Sequence, residues 1–412
     1  MSIPRPGPRL PSVWRNRDFR LLWSGQIVSA LGSQASGLAF PLLLLSITHS
    51  AAETGLLIAV RDLPNIVLPL PVGVLVDRWD RKKLMILAEL GRGVALGSIP
   101  VALATGHLSL LQLAAVTLVE GAMQNVFGLA GSASLLQVVT EEELGDAIAL
   151  GSIVGSASRL LGPSIGGLLF SISRTLPFLV DAVSYVASAL SLFFIRPHFQ
   201  QSREAARRDF WGEIREGVSW LWHHPVLRFL AFLMAGLNFF SFGYQLILIV
   251  RAQELHASAF EIGLLFAMGG VGGILGSLAA SYLQRRFPFG TLMVLATWGW
   301  ALTWILYALA PNLATLFAAY IIGAPIVTIF LVIQSSYQLR LIPDELRGRV
   351  NSVFLLVTVG LEPLSIILTG VLLQAFGGVA TILMVFVPQV ILAALAMLNP
   401  HLRCSGPARA DS

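Results

Sequence analysis

The chain has 412 residues, of which 56% are apolar and 12% charged, and its mean hydropathy is +0.78. Because soluble domains carry about 25% charged residues, this composition excludes a soluble globular protein and indicates a chain solvated by lipid. The formal net charge of +5 excludes a nucleic-acid-binding surface, since the positive residues lie in loops between apolar segments and not on one basic face. The single cysteine, Cys404, excludes internal disulfides and cysteine-based metal sites.

Apolar segments alternate with short polar connections along most of the chain. The first fifteen residues are rich in proline and arginine and lack an apolar core, so no cleavable signal peptide is expected. After them the sequence predicts twelve membrane spans of roughly 20 residues each. The spans cover 19–45, 54–76, 84–105, 109–133, 147–171, 175–195, 226–250, 259–282, 289–310, 313–337, 350–375 and 379–398.

The longest connection divides these spans into six and six. The predicted regions are a cytoplasmic tail at 1–18, a six-helix bundle at 19–195, a linker at 196–225, a second bundle at 226–398 and a tail at 399–412. Apolar linker residues recur at helical spacing, namely Phe210, Trp211, Ile214, Val218, Leu221 and Trp222. Glu213, Arg215 and Glu216 lie on the opposite side, which predicts an amphipathic helix along the membrane surface.

The distribution of lysine and arginine predicts the orientation. With both termini inside, 22 of these residues fall in inner segments and two, Arg174 and Arg251, in outer segments. Arg61, Arg92 and Arg159 fall within spans. Because positive charge accumulates on the cytoplasmic side, the sequence predicts an N-in, C-in topology.

The connection after the second span holds a dense charge cluster that cannot lie in hydrocarbon. Gly73 is expected to let a neighbouring helix approach, and Asp77 to cap the next helix or accept bonds from it. The cluster resembles the signature between the second and third helices of the major facilitator superfamily, in which the matching residues are Gly73, Leu75, Asp77, Arg78, Arg81 and Lys82. Asp80 stands where that family often has glycine. The resemblance implies that this loop acts as a conformational switch. Glu89 and Arg92 are expected to form a structural pair that is bonded to the loop.

The two halves resemble each other. Glu143-Leu144 and Glu345-Leu346 occupy matching connections, and a second copy of the signature, from Gly276 to Arg286, lacks the aspartate. Two parallel six-helix repeats imply a central site between the halves.

The fifth span contains a glycine-rich pattern, Gly162-Pro163-Ser164-Ile165-Gly166-Gly167. It resembles the fifth-helix signature of the drug–proton antiporters of the superfamily, although Ser158 replaces their usual upstream glycine. Segments 16–23, 181–185 and 346–350 resemble the macrolide-efflux and enterobactin-exporter-like branch. The arginine signature of the fourth helix is missing, and Glu120-Gly121 lies near its place.

Ionisable residues inside spans are the candidates for proton coupling, because a charge at mid-bilayer costs ~2.5–3.5 kcal/mol. Glu120, Arg159 and Glu362 each lie about twelve residues into a span, or roughly 18 Å of helix. Glu120 and Glu362 are the first candidates, followed by Asp62 and Asp181. Arg159 and Arg61 are the expected charge partners, and Arg159 lies at a depth similar to that of Glu120 on the adjacent span. The alternative is that Glu120 and Arg159 form a permanent pair that only joins two helices.

By family resemblance, uncharged polar and aromatic residues are expected to line a cavity for a partly apolar organic solute. The candidates are Gln26, Ser29, Ser33, Gln34, Gln124, Asn125, Asn238, Tyr244, Gln245 and Gln334.

The expected function is secondary transport. Neither Lys82 nor Lys83 lies in a phosphate-binding motif, and the histidines lack metal-ligand spacing, so no enzyme activity, cofactor or metal is expected. The sequence predicts an all-α integral membrane protein that exports amphiphilic small molecules in exchange for protons, as a monomer in the cytoplasmic membrane. The alternatives are an uptake symporter of a small organic solute, or a receptor or scaffold of the same fold without flux.

Overall fold

The computed structural model describes residues 12–196 and 210–403, and no strand occurs within these ranges. Cys404, most of both predicted tails and part of the predicted linker lie outside the described residues. The helices of the first range are α1 Arg17–Thr48, α2 Ala51–Val67, α3 Pro69–Arg78, α4 Arg81–Thr105, α5 Leu110–Val138, α6 Leu144–Ile172 and α7 Leu176–Phe193. Those of the second range are α8 Phe210–His223, α9 Pro225–Ser241, α10 Tyr244–Glu254, α11 Ala259–Leu283, α12 Phe289–Leu309, α13 Leu313–Leu341, α14 Arg347–Val359, α15 Glu362–Leu398 and α16 Pro400–Arg403.

Ten helical segments in the described ranges are long and apolar enough to cross a membrane, or eleven when the bent pair α2 and α3 counts as one. The last of them runs for 55 residues over Asp344–Leu398. It includes Gly377, whose φ of 77° and ψ of 179° are not helical. Large apolar side chains such as Leu111 and Leu309 are exposed, as lipid-facing residues are in a membrane protein.

Three predicted spans are broken where the sequence indicated continuous helices. The second span bends by 58° near Leu68, where Pro69 and Pro71 remove backbone donors. The seventh breaks at Gly243, and a Cβ atom there would overlap Thr369 of α15, so close packing requires glycine. The eleventh breaks at Gly360, and Glu362 lies in the first turn of α15, directly after this break.

The chain forms two compact units. The first comprises 1–40 and 60–205, and the second comprises 41–59 and 206–412. Within the first, α4 packs against α5 and α7. Within the second, α11 and α12 pack against α13, while α8 packs against α9 and α14.

This division differs from the predicted halves because 41–59 groups with the second unit. Gly55 and Gly370 allow backbone contact there: a Cβ atom on Gly370 would lie 2.6 Å from the Ala51 carbonyl oxygen. The Ala51 N–H also donates to Gln374 Oε1 at 2.8 Å. Close packing through small residues is how helices associate in lipid, where apolar contact alone gives no advantage.

Candidate functional site

Five ionisable side chains meet in the interior of the first unit. Arg61 comes from α2, Glu89 and Arg92 from α4, Glu120 from α5 and Asp181 from α7. Glu89 and Asp181 are fully buried, and Arg92 and Glu120 are 4% exposed. Because burying a charge in an apolar bundle is costly, each of these groups needs a partner.

Glu120 is held by two guanidinium groups. Its Oε2 accepts from Arg61 Nε and its Oε1 from Arg92 Nη2, both at 2.8 Å. The expected pairing with Arg159 is wrong, since Arg159 is exposed on α6 and forms no ion pair with any described residue. Arg61 and Arg92 compensate the Glu120 charge in its place, each through a charge-assisted bond.

The Glu89–Arg92 pair lies inside the bundle and is not bonded to the signature loop as expected. Glu89 Oε1 accepts from Ser188 at 2.8 Å and from Ser29 at 3.3 Å. Glu89 Oε2 lies 4.0 Å from Arg92 Nη1, and neither this oxygen nor Arg92 Nε has a hydrogen-bond partner among the described residues. The pair therefore joins α4 to α1 and α7.

Arg92 is also positioned by an aromatic ring. Its guanidinium carbon lies 4.1 Å from the centroid of Tyr185, a cation–π contact. Arg92 Nη2 donates to Ser33 Oγ at 3.2 Å, and the Ser33 and Tyr185 hydroxyls are 2.8 Å apart. These contacts fix the cation between Glu120 and Glu89.

Asp181 is bonded by hydroxyl groups alone. Ser36 Oγ donates to its Oδ2 at 2.5 Å and Ser184 Oγ to its Oδ1 at 3.1 Å. The backbone of α1 passes close by, since a Cβ atom on Gly32 would lie 2.5 Å from Asp181 Oδ1. Asp181 forms no ion pair with a described residue, which distinguishes it from Glu120.

Two facing stripes of polar residues build this interior. On α1 the stripe is Ser29, Ser33 and Ser36, and on α7 it is Asp181, Ser184, Tyr185 and Ser188. The spacing of three and four residues places each stripe on one helix face. Sequence reasoning assigned Ser29 and Ser33 to the cavity, named Ser184 and Tyr185 only within the segment 181–185, and did not name Ser36 or Ser188. The repeat of polar residues at helical spacing in two apolar spans was the available signal.

A small, partly open cavity adjoins the cluster within the first unit. Its lining consists of Ser36, Phe40, Arg61, Leu96, Val116, Thr117 and Glu120. Ser36, whose hydroxyl donates to Asp181, therefore lines the same cavity as the Arg61–Glu120 pair.

The signature region is shorter than the predicted loop, because α3 ends at Arg78 and α4 begins at Arg81. Asp80, and not Asp77, caps α4 by accepting from the N–H groups of Lys82 and Lys83. Asp77 is exposed and lies 3.8 Å from Arg81 Nη2.

The basic residues of the signature region reach neighbouring helices. Arg81 Nη1 donates to the Ala133 carbonyl oxygen of α5 at 2.9 Å. Lys82 Nζ donates to the Phe193 and Ile195 carbonyls at the end of α7. Gly73 does not show the expected close approach, since no described atom lies within 4 Å of its Cβ position.

The glycines of the exporter-like pattern pack α6 against α1. A Cβ atom on Gly162 would overlap Gln34, and one on Gly166 would lie 2.8 Å from Ala35 Cα. Gly167 is buried, and Pro163 lies within the continuous α6. The pattern thus permits close helix contact, as expected for small residues in membrane helices.

The remaining candidates do not gather at one place among the described contacts. Asn125 donates to Asn65, Asn238 to the Thr358 carbonyl and Gln334 to Gln338. The side chains of Gln34, Gln124 and Tyr244 are exposed, whereas Gln26, Asp62, Gln245 and Glu362 are half-buried.

The family model described as Major Facilitator Superfamily matches residues 22–361. The chain belongs to this superfamily. The match confirms the resemblance that the signature residues indicated. As a member of this superfamily, the chain is a multi-pass membrane transporter and not an enzyme.

Known proteins of the superfamily resemble the chain over most of its length. The multidrug efflux pump Tap of Mycolicibacterium fortuitum is 25% identical over 93% of the chain and 96% of the pump. The enterobactin exporter EntS of Shigella boydii serotype 18 is 25% identical over 82% of the chain and 80% of the exporter. A bacterial homologue of the human lysosomal transporter Spinster, solved in an inward-facing and unoccupied conformation, shares the fold, with a TM-score of 0.73 at 16% identity over 93% of the chain and 96% of that structure.

Proposed function

We propose that the chain exports amphiphilic small molecules from the cytoplasm in exchange for protons, by alternating access and as a monomer. Its similarity to a multidrug efflux pump and to an enterobactin exporter supports the direction and the substrate class. Both alignments run through both halves of the chain, so the similarity is not confined to one shared segment.

The proposal includes twelve crossings with both termini in the cytoplasm. A single helix of the 55 residues over Asp344–Leu398 would be about 80 Å long, whereas the hydrocarbon core is about 30 Å thick. The non-helical backbone at Gly377 supports two crossings in this segment. With α2 and α3 as one bent span, the count is twelve. The concentration of lysine and arginine in the proposed inner segments supports the orientation.

The observation that carries proton coupling is the buried charge cluster of the first unit. Its carboxylates belong to Glu89, Glu120 and Asp181, and its cations to Arg61 and Arg92. Ionisable residues inside a membrane bundle are costly and commonly belong to proton relays or substrate pathways. A cluster that changes its hydrogen-bonded partners as helices move can take up a proton in one state and release it in another.

An amphiphilic substrate agrees with the chemistry of the exposed candidate residues. Gln34 and Gln124 offer neutral amides, and Tyr244 offers a ring with a hydroxyl group. Neutral donors and acceptors among apolar side chains suit a partly apolar organic molecule better than a small inorganic ion.

Transport into proteoliposomes tests this function. Ethidium is a suitable probe because its charge is permanent, so a pH gradient alone does not trap it. We expect an acidic lumen to drive ethidium accumulation, since protons that leave the lumen exchange for entering substrate. Protein-free liposomes and vesicles treated with a proton ionophore serve as controls.

The sign of the gradient separates the alternatives. Accumulation driven by an alkaline lumen would indicate a symporter. Absence of gradient-driven flux for ethidium, a macrolide and a catecholate siderophore alike would overturn the proposal.

A further inference from the structure

The charge cluster of the first unit contains one more carboxylate than guanidinium groups. Each carboxylate oxygen of Glu120 accepts a hydrogen bond from one guanidinium group, and Glu89 Oε2 lies 4.0 Å from Arg92 Nη1. Asp181 is left without an ion pair among the described residues, although it is fully buried. Since an uncompensated buried charge is costly, a single proton neutralises the cluster best at Asp181.

The hydrogen bonds around Asp181 accommodate both protonation states. Ser36 Oγ lies 2.5 Å from Asp181 Oδ2 and 3.2 Å from the Ser33 carbonyl oxygen. Ser184 Oγ lies 3.1 Å from Asp181 Oδ1 and 2.7 Å from the Asp181 carbonyl oxygen. Each hydroxyl group therefore has a second acceptor available.

These second acceptors let the proton move without a shift of heavy atoms. When Asp181 is ionised, both hydroxyl groups donate to its carboxylate. When Asp181 is protonated, its O–H donates to Ser36 Oγ, and the Ser36 hydroxyl proton turns to the Ser33 carbonyl. No buried donor or acceptor of this group is left unpaired in either state, so the remaining difference between the two states is the cost of burying the carboxylate charge.

The other two carboxylates do not offer this exchange. A proton on Glu120 would weaken its bonds to Arg61 and Arg92 and leave Arg92 with only the 4.0 Å pair to Glu89. A proton on Glu89 would remove the charge that lies 4.0 Å from Arg92 Nη1 and so weaken an ion pair, which a proton on Asp181 does not.

A cavity lies next to one hydrogen-bond partner of Asp181. The partly open cavity beside Glu120 and Arg61 reaches Ser36, whose hydroxyl contacts the carboxylate. The charged and titratable groups that act on Asp181 are Arg92 of α4, Glu120 of α5 and Tyr185 of α7. Arg92 and Glu120 have opposite charge and are bonded to each other, so their fields on Asp181 partly cancel.

We propose that Asp181 carries the coupling proton of this transporter, with Ser36 and Ser184 as positioning residues. The proposal rests on the proposed proton-coupled export. On release, the proton passes through Ser36 Oγ to solvent that enters the cavity, and the Asp181 carboxylate keeps both hydroxyl bonds. On uptake the same steps run in reverse.

Proton release on substrate binding tests the proposal. Ethidium is added to the purified protein in weakly buffered detergent solution, and a pH indicator dye reports released protons. We expect the wild type to release about one proton for each bound ethidium. Asp181→Asn, which keeps the size and an acceptor oxygen, is expected to bind ethidium and release none.

Proteoliposomes supply the second measurement and a check on folding. Asp181→Asn is expected to lose accumulation driven by an acidic lumen and to keep downhill ethidium exchange. Thr297→Val is the matched control, because Thr297 is equally buried on α12 but its hydroxyl donates to the Met293 carbonyl, outside the charge cluster. It is expected to release protons and accumulate ethidium as the wild type does.

Wild-type proton release and accumulation in Asp181→Asn would overturn the assignment while leaving the transport function intact. Absence of accumulation in the wild type itself would overturn the proposed function and the assignment with it. If Asp181→Asn does not fold, Ser36→Ala decides. Loss of this donor to a carboxylate is expected to move the pH midpoint of accumulation upward by about one unit. An unchanged midpoint would contradict the assignment.

Discussion

The two units bury their polar groups in different ways. The first holds Glu89, Arg92, Glu120 and Asp181 in its interior. In the described part of the second unit no Asp, Glu, Lys or Arg is buried, and the interior polar groups are amides and hydroxyls. Gln389, for example, donates to the Leu237 carbonyl oxygen at 3.1 Å and to Ser241 at 2.7 Å.

This difference separates two tasks. Hydrogen bonds between neutral groups stabilise helix contacts in lipid modestly, and their strength does not depend on pH. The stability of a buried ion pair depends on the charge of each of its members. Proton-dependent steps are therefore expected to arise in the first unit, while the second contributes shape and neutral contacts.

The largest expected effect tests the buried ion pairs directly. Glu120→Ala removes the carboxylate that compensates Arg61 and Arg92, so the free energy of unfolding is expected to fall by about 3–5 kcal/mol. Gln389→Leu, in the interior of the second unit, is expected to cost only about 1 kcal/mol. Unfolding titrations in mixed detergent micelles measure both values. Equal losses would show that charge is not what distinguishes the two interiors.

A pair of corresponding glycines gives an intermediate effect. Gly276 of the second signature copy packs tightly, since a Cβ atom would lie 2.5 Å from the Pro325 carbonyl oxygen, whereas Gly73 has open space. Gly276→Leu is expected to lower the unfolding free energy by about 1–3 kcal/mol through overpacking, and Gly73→Leu by less than about 0.5 kcal/mol. Thermal unfolding in detergent ranks the two. The reverse order would contradict the packing shown around these two glycines.

The smallest stability effect concerns the aspartates of the signature region. We expect Asp77→Asn to change stability by less than about 1 kcal/mol, because its pair with Arg81 is exposed. We also expect it to reduce ethidium flux, on the hypothesis that Asp77, Arg78 and Arg81 latch helix ends in the outward-facing state.

Asp80→Ala provides the contrast for that variant. It removes the cap of α4 and is expected to cost about 1 kcal/mol. Near-wild-type flux in Asp77→Asn at equal membrane expression would rule out the latch.

Composition and spacing were sufficient for the membrane class and the approximate spans, and the resemblance of the signature residues indicated the superfamily. In lipid, every backbone N–H and C=O group must be hydrogen-bonded within the protein. An apolar segment long enough to cross the membrane therefore has few alternatives to a helix. The sequence also predicted that α6 packs closely against another helix, because Gly162 and Gly166 indicate a packed face. It did not predict that Gln34 and Ala35 of α1 lie against this face.

Which ionisable side chains pair with each other was decided only by the tertiary structure. Glu120 and Arg159 were expected to pair from their similar depth, but depth does not say which helix face meets which, and α2 and α4 bring Arg61 and Arg92 to Glu120 instead. In the same way, Asp80 rather than Asp77 became the helix cap, since α3 ends two residues after its expected end and α4 begins three residues before its expected start.

The hydroxyl surroundings of Asp181 show the same limit. The chain places Asp181 in an apolar span beside small polar residues, which is visible in the sequence. Only the packing of α1 against α7 brings Ser36 to its carboxylate across a separation of 145 residues. Hydrophobic burial is nondirectional and can be read from composition, whereas hydrogen bonds and ion pairs are directional and form only where the fold brings donor and acceptor together.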